Sequence, residues 1–145
     1  MDVKSGFPQT LDAALLIARL VAGLMFASSG WLKLTRADRR RAMIKSLQRG
    51  HIPAPGLMSR VVAVFELVAG LGLAVGLFTG FSALILLVIC LVALATVTAK
   101  EAASEGPPLL RFSSLLYTPE ALLISLLLLV LAAGPGGLSA DSVIV

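Results

Sequence analysis

Four apolar stretches, about 11–34, 59–77, 79–98 and 118–133, are separated by two polar connections and one short break. Crossing the hydrocarbon core of a bilayer takes about 20 residues of helix, and each stretch is close to that length. The pattern predicts an all-α fold with four transmembrane helices in one antiparallel bundle, a single domain over 1–145. From Val61 to Ala99 the chain is apolar for too long to be one helix, and Gly76-Leu77-Phe78-Thr79-Gly80 supplies the break. So tight a turn sets the second and third spans antiparallel and adjacent.

Polar residues inside these stretches carry the next inference. Arg19 lies in LDAALLIARLVAGLMFASSGW and Glu66 in VVAVFELVAGLGLAVGLF. A charge at mid-bilayer costs at least ~2.5–3.5 kcal/mol on insertion scales, so such groups face the bundle interior and find partners. On adjacent antiparallel helices the two are expected to neutralise each other, directly or through one water. LVAGL follows both charges, a word short enough to arise by chance in apolar sequence. Arg19, Gly23, Phe26, Gly30 and Lys33 recur at spacings of four and three and so share one helix face. That face reads either as a close-packed seam with glycines admitting a neighbour, or as the lining of a cavity entered from the Lys33 end. Gly70, Gly72, Ala74 and Gly76 make the second span small-faced. Gly72-x-x-x-Gly76 suits helix contact without separating packing within the chain from dimerisation.

The connections divide the chain by charge. Residues 35–50 predict a short amphipathic helix on the membrane surface, between the first two spans. Thr35-x-x-Asp38 resembles a capping box, Met43, Ile44 and Leu47 form the apolar side, and Gly50 suits the stop. His51-Ile52-Pro53-Ala54-Pro55-Gly56 then forces an irregular connector, where His51 reads as a solvated loop residue. Lys100 to Thr118 is the second connection, broken by Gly106-Pro107-Pro108, with a turn of helix near Phe112. Pro119 suits a first helical position, and Glu120 suits the helix entrance electrostatically. Gly134-Pro135-Gly136-Gly137 ends the last span.

Composition agrees with the pattern. The chain is 58% hydrophobic and 14% charged, with a mean hydropathy of +0.98, against about 45–50% and about 25% in soluble domains. The net charge of +4 does not imply nucleic acid. Lys33, Arg36, Arg39, Arg40, Arg41, Lys45, Arg49 and Arg60 lie in or beside one connection, with no interleaved aromatics for base stacking. Such a cluster marks the cytoplasmic side and meets anionic lipid. The basic 35–60 connection is therefore expected in the cytoplasm and both termini outside a cell membrane. The leading apolar stretch carries Arg19 and lacks a clear cleavage site, so it reads as a retained helix. Cys90 is the sole cysteine and His51 the sole histidine. Thiol–disulfide chemistry within the chain and bis-histidine haem ligation are thereby excluded, and no metal site is expected.

The ordered motifs RLVAGLMFASSGWLKL (19–34), ELVAGLGLAVGLFTG (66–80) and PEALLISLLLLVLAAGPGGLSAD (119–141) resemble the DoxX family of small four-helix membrane proteins. One departure is Thr79-Gly80, where the family commonly carries Thr-Arg. The resemblance implies a multi-pass protein working beside redox enzymes, among them a thiosulfate–quinone oxidoreductase and complexes against oxidative stress. The first functional reading is accordingly an accessory subunit that anchors a redox-enzyme partner on the cytoplasmic face and shapes a site for a quinone, the sole suggested cofactor, or another apolar small molecule. Homo-oligomers are compatible with it. On this reading Arg19, Glu66, Lys33 and Glu120 converge on an apolar ligand, and Gly23 and Gly30 leave room for it; no catalytic residue is assigned. Two other readings stand beside it: a small-solute or proton-coupled transporter gated by the Glu–Arg pair, and a structural protein in which that pair fixes register.

Overall fold

The computed structural model describes residues 3–103 and 106–144, with only the backbone for 3–8, 101 and 102. Among the described residues the fold is helical throughout, without a strand. Helix α1 (Val3–Thr35) is followed by α2 (Ala37–Arg49), α3 (Pro55–Val75) and α4 (Thr79–Ala93). A π-helical turn (Leu94–Thr98) leads into α5 (Ala99–Ala103), then come α6 (Pro108–Leu116), α7 (Pro119–Ala133) and a final turn, α8 (Asp141–Ile144).

Three helical segments, Gln9–Thr35, Pro55–Val75 and Thr79–Thr98, are long and apolar enough to cross a membrane. The fourth differs from the single straight span expected over 118–133. Helix α7 has 15 residues, about 22 Å at 1.5 Å each, short of the ~30 Å hydrocarbon core. It reaches spanning length only together with α6, from which it bends by 54°. The bend follows from Pro119, which removes an amide donor and holds Thr118 extended at φ −76°, ψ 146°.

The packing is that of a protein immersed in lipid. Val68 is 64% exposed and Phe81 68%, while Arg19 is fully buried and Glu66 is 5% exposed. Large apolar side chains outside and small or polar ones inside is the arrangement lipid favours, since lipid gives apolar groups no reason to turn inward. The core joins Ala22 and Phe26 of α1, Ala69 and Leu73 of α3, Leu86 and Cys90 of α4, and Leu127 and Val130 of α7.

The α1–α3 seam is close because glycine permits it. A Cβ on Gly23 would lie 2.6 Å from the Gly70 carbonyl oxygen, and one on Gly30 would lie 2.5 Å from that of Ala63. Gly72 and Gly76 are also engaged within the chain, the first against Ser82, the second against Arg19 and Ser139. Gly76 adopts φ +77°, the left-handed conformation that ends α3 and starts the tight turn.

The chain breaks between α1 and α2 at Arg36, which is extended. Thr35 does not form the expected capping box: it stays in the last turn of α1, and its hydroxyl donates to the Trp31 carbonyl at 2.8 Å. Helix α2 buries Leu47 and half-buries Met43 and Ile44, as its pattern requires. At its end the left-handed residue is His51 (φ 59°) rather than Gly50.

Candidate functional site

Between them the helices leave a cavity of about 490 Å³. Its walls are apolar and come from every long helix: Met25 and Phe26, Met43 and Leu47, Met58 and Val62, Val88 and Ile89, and Leu123. Thr96, Val97 and Thr98 of the π-helical turn complete it. Such turns are uncommon in helices and recur at functional sites. Three charged side chains, Lys33, Glu66 and Glu120, face this one space.

Lys33 donates to both carboxylate oxygens of Glu66, at 2.8 Å to Oε1 and 2.6 Å to Oε2. The Ser29 hydroxyl adds a longer bond to Oε2, 3.3 Å. Lys33 lies one turn beyond Ser29 on α1, so both reach Glu66 from the same face. A buried carboxylate that would be costly alone is thus charge-paired and hydrogen-bonded. Glu120 stands in the first turn of α7, where the helix dipole favours negative charge. Among the described residues it has neither an ion-pair partner nor a hydrogen bond of its own.

The expected pairing of Arg19 with Glu66 is not what the structure contains. Arg19 lies against Gly76, and Glu66 is ten residues back along α3, about 15 Å at 1.5 Å per residue. The reason is register: Gly23 sits between Gly70 and Ala74, and Gly30 between Ala63 and Leu67. That register levels Glu66 with Ser29 and carries Arg19 to the far end of the bundle. There its Nη2 donates to the Leu138 carbonyl at 2.5 Å, while Nε and Nη1 have no partner among the described groups.

A folded-back tail surrounds Arg19. Asp12 accepts from the Gly137 amide at 2.8 Å, and the Asp141 amide donates to the Gly76 carbonyl at 2.9 Å. The Asp141 carboxylate accepts from the Phe78 and Thr79 amides at 2.7 and 2.8 Å. It thereby caps α4, whose own preceding residue, Phe78, has no capping side chain. These hydrogen bonds, the Thr79 amide first, hold the Asp141 carboxyl below its ordinary range, with Arg19 adding to the effect.

The structure therefore brings Lys33, Glu66 and Glu120 together and leaves Arg19, Gly23 and Gly30 outside that space. The two glycines do not make room for a ligand, because the backbone of α3 fills the room they leave. Ser29 and Cys90, which the sequence offered only as span residues, line the cavity. The serine pair at 28–29 inside an apolar span was the available signal for the first; nothing distinguished Cys90 from core packing. A second groove, of about 430 Å³, lies between the lipid-facing sides of α3 and α4 and has Ser82 as its polar lining residue. Among the described residues there is no group of three or more His, Cys, Asp or Glu able to hold a metal ion.

Comparison with curated proteins and with solved structures returned no match. A family profile, DoxX, matches residues 14–99, more than half of the chain, and takes in Arg19, Lys33, Glu66 and Cys90. With helices long and apolar enough to cross a membrane, the chain is a membrane protein that belongs to the DoxX family.

Proposed function

We propose that this protein is an integral membrane accessory subunit of a quinone-linked or oxidative-stress redox complex, and that it binds a small apolar molecule such as a quinone in the cavity beside Lys33 and Glu66. The observation that carries the reading is the cavity itself. Its volume of about 490 Å³ falls within the ~300–1,000 Å³ of small-molecule sites, which are mostly apolar with a few convergent polar groups. A ring-sized head would lie beside the ion pair, with an apolar tail against Met25, Met58 and Val88, which line the same cavity. The quinone would supply the redox chemistry when bound; Lys33 and Glu66 would orient its head, and the aliphatic walls would keep water away.

The basic face of α2 argues for placing the cavity end at the cytoplasmic side, with the Arg19–Asp141 end outside. A redox-enzyme partner would then dock from the cytoplasm. A four-span antiparallel bundle follows if α6 and α7 cross together. The transporter alternative lacks a comparable support, since close-packed Gly23, Gly70 and Ala74 separate the two charged ends.

Two measurements test the reading. Mass spectrometry of lipid-soluble material co-purifying with the protein should find a quinone. A decyl-benzoquinone and its quinol, offered to the protein in nanodiscs, should bind in at least one redox state, more weakly to Glu66→Gln under conditions where the fold survives. Absence of binding in both states, together with proton-dependent solute uptake in proteoliposomes, would replace this reading with the transporter.

A further inference from the structure

The polar groups of the cavity are asymmetric in what they offer a ligand. Lys33 directs donors at both oxygens of Glu66 and the Ser29 hydroxyl at one of them, which leaves one ammonium hydrogen of Lys33 uncommitted. The Thr96 hydroxyl donates to the Val92 carbonyl at 2.6 Å within its own helix. The Ser46 and Thr98 hydroxyls accept as readily as they donate, so they discriminate little between ligands. Glu120 is different. It faces the cavity, it has no partner among the described residues, and a carboxylate is an acceptor. The charges around the cavity are one cation, already bonded to Glu66, and two carboxylates, so the charged group wholly open to a ligand is an acceptor, Glu120.

We propose that the cavity selects ligands whose polar end donates hydrogen bonds, with Glu120 as the acceptor, so that a quinol binds in preference to the matching quinone. This rests on the reading that a quinone-type molecule occupies the cavity, and adds which redox state it holds. A quinone ring carries two carbonyl acceptors and no donor; the quinol carries two hydroxyl donors on the same ring with the same tail. Size and apolar contact are nearly equal for the two, and hydrogen bonding decides between them. Opposite Glu120 the quinone would set carbonyl oxygen against carboxylate oxygen, whereas the quinol would form a charge-assisted hydrogen bond. Glu120 is a specificity residue here, and no electron or proton transfer by this chain is required.

The experiment uses the full chain in nanodiscs with three probes: a decyl-benzoquinone, its quinol kept reduced under anaerobic conditions, and the quinol dimethyl ether, which keeps shape and tail but has no donor. The quinol should bind about tenfold or more tighter than the other two, the scale of one hydrogen bond to a charged group. Glu120→Gln should remove most of that preference, weakening quinol binding and, because the amide NH2 can donate to a carbonyl, leaving quinone affinity equal or higher. The dimethyl ether makes the same comparison on the unaltered protein, so the result does not depend on how the variant folds. Equal affinity for quinol and quinone, or a preference for the quinone, would overturn the proposal and leave the cavity as a quinone site. Binding of the ether as tightly as the quinol would also overturn it. Binding of none of the three would remove the quinone reading, and this proposal with it.

Discussion

Lys33 reaches Glu66 from near the end of α1, and both line the cavity. Removing one member of a buried pair leaves an uncompensated charge, worth ~3–5 kcal/mol in soluble proteins, and less here because the Lys33 side chain keeps 19% exposure. Contacting residues couple by ~0.5–3 kcal/mol, whereas distant ones add within ~0.3–0.5. A thermal-denaturation cycle of Lys33→Ala with Glu66→Ala should therefore show coupling, and the cycle of Arg19→Ala with Glu66→Ala should be additive. Coupling in the second cycle alone would contradict the register described here. That both residues are buried was legible from insertion energetics; which partner each has was not. Arg19 and Lys33 both lie on α1, and hydropathy does not rank them.

Helix α4 begins without a capping side chain of its own, and a residue 62 positions further on supplies one. Loss of a cap costs ~0.5–2 kcal/mol, so Asp141→Ala should lower the melting temperature measurably at neutral pH. The pH dependence has a defined sign. The folded-state pKa of Asp141 is depressed, chiefly by the Thr79 amide. The stabilisation is thus full above the unfolded aspartate value near ~4 and is lost as pH falls through the lower folded value. The difference in melting temperature between Asp141→Asn and wild type should hold steady down to pH ~4 and shrink below it; a difference that stays constant well below that range would assign the effect to packing. At this scale the apolar periods, Pro119 and Gly76 told where helices begin and end. They did not tell that α7 is short and bent against α6, because bend angle depends on what each helix packs upon.

As a whole the protein has two polar ends separated by a glycine-lined seam, one at Lys33–Glu66 and one where the tail closes over Arg19. If three full spans and the bent pair all cross, the Arg41 and Asp141 positions lie on opposite sides. Single cysteines placed there in a Cys90→Ser background should be labelled from opposite faces of sealed vesicles. Labelling from one face would eliminate the four-crossing arrangement. Met1, Asp2 and Val145 lie outside the described residues, so the test uses internal positions. Membrane class, helix number to within the bent pair, the amphipathic α2 and the burial of Arg19 and Glu66 were determined by the sequence alone. Each follows from transfer free energies and helical period, which are local properties. Tertiary structure decided the pairing of Glu66 with Lys33, the exclusion of Gly23 and Gly30 from the cavity, and the convergence of Glu120 upon it. The physical reason is the register of α1 on α3: close approach at Gly23, Gly30 and Gly70 sets which side chains meet along both helices. A shift of one turn, about 5.4 Å, would change every one of those partners while leaving the hydrophobic pattern intact.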